Sequence, residues 1–160
     1  MDHPFRFPKS QKLCGSKAIE QLFVSGQGFT RYPLRAIYSF APLRSGEQVC
    51  RVMVSVSKKR FKHAVDRNRV KRLVREAFRL NRAPLNAALQ TLPQNMAFRL
   101  AFVFVGKGMP DYKAVEHAIC QIVDKLSNQI TIPFAAEAPQ DFKAPQDQTS
   151  APTNANIPNV

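Results

Sequence analysis

Apolar positions along the chain change period several times, and each change marks an element. Over Ser16–Ser25, Ile19, Leu22 and Phe23 recur at helical spacing, with Ser16 placed as an N-cap, Glu20 nearby and Gly26 as a stop. Residues 34–41 alternate instead, so that Leu34, Ala36, Tyr38 and Phe40 share one face of a strand. Residues 51–57 carry Val52, Met53, Val54 and Val56; residues 97–105 carry Phe98, Leu100, Phe102, Val103, Phe104 and Val105. Both are β-branched or aromatic runs of strand length, suited to the middle of a sheet.

A helix is predicted between those two strands, over residues 64–82, and a second short one over residues 84–92. At about 100° per residue, Val70, Leu73, Val74, Ala77 and Phe78 of the first fall on one arc, which must face the sheet. A closing helix over residues 111–128 has Val115, Ala118, Ile119, Ile122, Val123 and Leu126 as its stripe. The order helix, two or three strands, helix, strand, helix predicts an α+β fold, a two-layer sandwich on a small sheet. The 160 residues suit one such domain, residues 1–132, with a tail. Residues 133–160 are rich in Pro, Gln, Ala, Asn and Thr and are expected to be a disordered tail, because they hold too little apolar surface to order themselves.

Charge changes this picture from a fold to a binding protein. The net charge is +13, from 24 Lys and Arg against 11 Asp and Glu. Twelve of the basic residues lie between Arg51 and Arg82, where only Asp66 and Glu76 oppose them. On the helical wheel, Asn68, Lys71, Arg72, Arg75, Arg79 and Arg82 occupy the arc opposite the apolar one. Arg67 and Arg69 stand at its start, and Lys58, Lys59, Arg60 and Lys62 in the loop before it, near the positive end of the helix dipole. An ordinary solvated helix mixes signs. A one-sign ridge needs a polyanion, and arginine forks suit a row of phosphates. A membrane surface is the poorer partner, since this helix needs its apolar arc for the core.

Other chemistry is sparse. Cys14, Cys50 and Cys120 have neither disulfide-framework nor zinc-ligand spacing and are read as reduced core thiols. His3, His63 and His117 have no partner at metal or triad spacing. The run Gly106-Lys107-Gly108 lacks the rest of a phosphate loop and is read as a turn. With no apolar run of membrane-spanning length and no secretory leader, the expected location is the cytoplasm.

Two stretches then carry a resemblance. Val54-Ser55-Val56-Ser57-Lys58-Lys59, followed by the segment from Ala64 through Arg67-Asn68-Arg69 to Arg79, resembles the signature of the bacterial ribonuclease P protein family, with looser similarity from Arg6-Phe7 and Leu13 to Leu126. Lys62-His63 departs from the Gly-Asn often found there. The resemblance implies a ribosomal-protein-S5-domain-2-like fold. It also implies the protein subunit of the enzyme that removes the 5′ leader of precursor tRNA. Arg67, Asn68, Arg69, Lys71, Arg72 and Arg75, with Arg79, Lys58, Lys59 and Arg60, would contact ribonuclease P RNA, the basic groups clamping phosphate and Asn68 hydrogen-bonding or capping. A cleft between the first helix and the sheet would hold the single-stranded leader, with Phe23 and Tyr38 as stacking faces and Ile19 one turn earlier. Phe23 and Tyr38 read equally well as core. Catalysis would fall to the RNA with a divalent metal, magnesium, in the RNA–protein holoenzyme, and the protein, a monomer alone, would pair 1:1 with the RNA and bind no cofactor itself.

Two other classes share the ridge. A DNA-binding regulator would extend the basic helix into a dimerising heptad, which Pro84 interrupts. A ribosomal scaffold protein would need no single-strand cleft.

Overall fold

The computed structural model describes the backbone of residues 7–136 and the side chains of residues 7–131. A short 3-10 turn, Lys9–Gln11, leads to α1 (Ser16–Ser25), β1 (Gln27–Arg31), β2 (Leu34–Pro42) and β3 (Cys50–Ser55). Then come α2 (Ala64–Asn81), α3 (Ala83–Leu89), β4 (Met96–Phe104) and α4 (Tyr112–Ala136). The sheet order is β1-β2-β4-β3. β1 pairs with β2, and β2 with β4, antiparallel, while β3 and β4 are parallel. A parallel pair requires a crossover, and α2 with α3 supplies it. The expected α+β sandwich on a small sheet is the fold observed.

The larger core lies on one face of the sheet. Leu34, Ala36, Val52, Val54, Phe98, Leu100, Phe102 and Phe104 meet Val70, Val74, Ala77 and Phe78 of α2 and the whole stripe predicted for α4. The assignment of Phe98, Phe102 and Phe104 to packing holds, all three being buried. Leu73 is only half-buried, at the edge of the α2 contact. Helix α4 runs eight residues past the predicted end at Asn128, and Ile130 continues its buried stripe. Residues 133–136, expected to open the disordered tail, are instead the end of α4; the rest of the expected tail, from residue 137 on, lies outside the described residues, as does His3.

The other face is partly covered by α1. Leu22, Ile37, Ala101 and Leu13 form a second cluster there, with Ile19, Met53 and Val103 against it. Strand β2 is therefore buried on both sides where α1 crosses, which breaks the simple alternation read from the sequence. Ser16 is the first residue of α1 rather than its cap: Gly15 occupies the cap with φ 99, and no side chain caps the end. Gly26 does end the helix, its N–H donating to the Leu22 carbonyl. A Cβ there would sit 2.2 Å from that oxygen, so only glycine fits.

The cysteines divide in a way composition did not show. Cys14 is exposed, while Cys50 and Cys120 are half-buried, so Cys14 is not a core thiol. Burial pushes the Cys50 thiol up to about 12, against the opposing pull of Arg82. At pH 8 the thiolate-seeking reagent iodoacetamide is expected to label Cys14 in the native protein and spare Cys50 until it unfolds, as peptide mass mapping would show.

Candidate nucleic-acid interface

Helix α2 divides between core and solvent along its whole length of about 27 Å. Asn68, Arg69 and Arg72 are exposed, and Arg67, Lys71, Arg75, Arg79 and Arg82 are half-buried. The guanidinium ridge is thus on the solvent side, opposite Val70 and Val74. Asn68 does not cap the helix: the cap residue is His63, with no side-chain cap bond. Asp66 in the first turn complements the dipole.

The cations differ in what already holds them. Arg67 Nη1 donates to the carbonyls of Phe61 (2.9 Å) and Lys62 (2.8 Å), which fastens the preceding loop to the helix. Phe61 packs on Phe104, ring centroids 5.7 Å apart. That contact sets Lys58, Lys59, Arg60 and Lys62, all exposed, at the end of the sheet beside the start of α2. At the other end Arg82 Nη1 donates to Gln11 Oε1 at 2.8 Å and its guanidinium lies 5.9 Å from the Phe7 ring, strapping the N-terminal segment across α2. A groove of about 200 Å3 opens between this strap and the helix, with Phe7, Leu13 and Val54 in its wall and Lys12 and Arg75 at its rim.

Arg79 makes a bidentate pair with Glu76, at 3.0 and 2.7 Å. Those hydrogen bonds hold the Glu76 carboxyl below its ordinary value. A lowered folded value means the pair contributes above the ordinary glutamate range and is lost as pH falls through the folded value. Glu76 is also the ridge's own negative charge. Glu76→Gln is expected to tighten RNA binding severalfold and steepen its salt dependence by about one, with little change in stability since the pair is exposed. Titration of binding against salt measures both.

The residues proposed from sequence as a leader cleft are not brought together. Phe23 is 44 % exposed on α1, and Ile19 packs beneath that helix. Tyr38 is 6 % exposed and points to the opposite face of the sheet, among Phe29, Phe40 and Phe98, where its hydroxyl bonds the side chains of Gln27 (2.8 Å) and Gln129 (3.0 Å). Tyr38 is core. On β2 it is Ile37 that faces α1. Sequence reasoning passed over two features. Tyr32, 68 % exposed at the β1–β2 turn, accepts the Lys107 N–H at 3.3 Å. Arg35, Arg51 and Arg99 alternate with core residues, and that spacing was the available signal that they share the α1 side of the sheet.

Among the described residues no group of three His, Cys, Asp or Glu side chains is placed to hold a metal, and no helix is long and apolar enough to cross a membrane. Residues 7–126 match the family described as Ribonuclease P. The ribonuclease P protein component of Porphyromonas gingivalis strain W83 is 40 % identical over 128 residues, covering 79 % of this chain and 90 % of that protein. The corresponding protein of Chlorobium phaeobacteroides is 29 % identical over 125 residues, covering 74 % and 86 %. Among solved structures, the RNase P protein of Staphylococcus aureus superposes with a TM-score of 0.54 at 17 % identity, over 74 % of this chain and 96 % of that one. The Thermotoga maritima RNase P protein gives 0.52 at 20 % identity, over 71 % and 96 %. At these identities the structures speak to the fold.

Proposed function

The chain belongs to the ribonuclease P protein family, and from that premise we propose that it binds the catalytic RNA of ribonuclease P through α2 and helps that RNA remove the 5′ leader of precursor tRNA. Membership makes it the protein component of a tRNA-processing ribonucleoprotein with an RNA partner. The observation that carries the finer reading is the solvent-facing row Asn68, Arg69, Arg72 and Arg75, seated by Val70, Val74 and Phe78 on the sheet. Arg67 holds the basic loop in place, so that Lys58, Lys59 and Arg60 extend the row beyond the helix. Together these groups lower the repulsion between closely packed phosphates.

Bond cleavage, in this reading, belongs to the RNA. The divalent metal, magnesium, belongs to the RNA–protein holoenzyme. The protein acts as a monomer, one copy per RNA, in the cytoplasm.

The reading is tested by binding to the assembled ribonucleoprotein. Precursor tRNA with a leader is expected to bind about tenfold or more tighter than mature tRNA, the scale of one or two base contacts. Phe23→Ala is expected to erode that preference while leaving affinity for the catalytic RNA unchanged. Equal binding of the two tRNAs would favour a scaffold protein with no hold on the leader.

A further inference from the structure

A row of polar groups crosses three strands on the sheet face where α1 lies. Ser39 on β2 is the register partner of Arg99 on β4, and Arg99 is the partner of Arg51 on β3. Neighbouring strands stand about 4.8 Å apart, so the two arginine stems rise side by side. Arg99 is 7 % exposed, and its hydrogen bond goes to a neutral group, Gln21 Oε1 on α1, at 3.3 Å. Arg51 pairs with Glu47 at 3.2 Å, yet its Nε is buried with no hydrogen-bond partner. Among the described residues, then, two adjacent guanidinium groups share one carboxylate. Like charges side by side and short of hydrogen bonds are costly, so the free protein gains from a further carboxylate here. Asp66 and Glu76 on α2, and Glu116 and Asp124 on α4, lie with their helices on the opposite face, and Glu20 on α1 is exposed.

The chain carries more acid beyond α4, where residues 137–160 hold Glu137, Asp141 and Asp147 against Lys143 alone. Helix α4 delivers that segment to the row. Lys125 lies 4.2 Å from the centre of the Phe29 ring, and Gln129 lies 3.0 Å from the Tyr38 hydroxyl, which Gln27 also meets. The helix therefore runs antiparallel to β1, from its middle towards its first residue. Strand β1 begins at Gln27, opposite Tyr38, so residues 39–42 of β2 form a bare edge just beyond. Ser39, the first member of the row, stands on that edge. A layer is about 10 Å thick, and Asp141 and Asp147, counted from the end of α4 at Ala136, reach up to about 17 and 37 Å when extended. We infer that the segment after α4 turns round this edge and sets the carboxylates of Asp141 and Asp147 on Arg99 and Arg51, covering the arginine row until RNA displaces it. Carboxylates fit the guanidinium fork, and tethering holds them near it at a roughly millimolar effective concentration. The contact needs no RNA; its consequence rests on the reading that single-stranded RNA lies beside α1. A segment seated about 80–90 % of the time lowers the apparent affinity of that face for a single strand about five- to tenfold. The α2 row, on the opposite face of the sheet, stays open to the catalytic RNA.

The test uses the full chain throughout. Asp141→Asn/Asp147→Asn is compared with the parent and with a control that loses the same charge elsewhere, Asp111→Asn/Asp124→Asn, two exposed positions. In RNA-free protein the Nε–H resonances of Arg51 and Arg99, assigned with Arg51→Lys and Arg99→Lys, are expected to move in the first variant and to stay in place in the control. Anisotropy with a fluorescent eight-nucleotide oligouridylate should show affinity about five- to tenfold higher for the first variant and within about twofold of the parent for the control. That gain should close at about 0.5 M salt, where exposed ion pairs are screened. Unmoved arginine resonances in the first variant, or an equal gain in both variants, overturns the contact. Resonances that move without a gain in affinity overturn the covering of the row. Because the resonances are read without RNA, the contact stands or falls apart from the RNA-binding reading, which itself fails if the parent binds neither the oligomer nor ribonuclease P RNA.

Discussion

Arg72→Glu/Arg75→Glu is expected to weaken binding to ribonuclease P RNA by about 100- to 1,000-fold near 0.15 M salt. Two cations are lost and two anions take their place on the α2 row, and like charges set against phosphate cost several kcal/mol, at about 1.4 kcal/mol per factor of ten. The slope of log affinity against log salt should flatten by about two, one for each phosphate contact removed. Arg72 is exposed and Arg75 lies at the rim of a groove, so neither change leaves a cavity. Urea unfolding of the double variant should therefore stay within about 0.5 kcal/mol of the parent, as surface substitutions do. A loss of that size in binding with stability intact separates recognition from folding.

Phe102→Ala is expected to have the largest effect on stability, about 3–5 kcal/mol. Phe102 is fully buried at the centre of β4, and its ring lies 5.3 Å from that of Phe78, which in turn meets Phe7 at 6.1 Å. One ring thus links sheet, basic helix and N-terminal strap. Removing it takes away transfer free energy and leaves a void beneath α2 that the close-packed neighbours fill only in part. The lowered urea midpoint should accompany RNA affinity that falls only as far as the folded fraction does.

What the sequence made legible follows from periodicity. Helix α2 was readable because its apolar and cationic residues separate cleanly on the wheel; Val70, Val74, Ala77 and Phe78 are buried in the core it shares with the sheet and α4. Helix α4 was readable up to Asn128; its last turns mix Ile130 with Gln129, Thr131 and Pro133, which blurs the stripe. Strand β1 carried little signal, being five residues with a glycine and mostly exposed. It is recognised by its pairing with β2, which is a tertiary fact.

The site divides the same way. The ridge was visible because helical spacing assigns each side chain a direction without knowledge of the partner. Tyr38 and Ile37 are neighbours on a strand buried on both faces, so alternation separates them without saying which one lies under α1. Tyr38, which the sequence offered equally as a stacking face or as core, is core. Arg99, in a run of phenylalanines, read as an interruption of a buried strand; only the register with Ser39 and Arg51 shows that it belongs to a cross-strand row.

Arginine footprinting tests the central claim most directly. The full-length protein would be treated with phenylglyoxal alone and in saturating complex with ribonuclease P RNA, and each modified arginine quantified by mass spectrometry. Strong protection of Arg69, Arg72 and Arg75 by the RNA, with Arg44, exposed in the loop between β2 and β3, modified equally in both, is the result this account predicts. Equal modification of Arg72 and Arg75 in the free and bound protein would contradict it, because the face of α2 opposite Val70 and Val74 would then not be where the RNA lies.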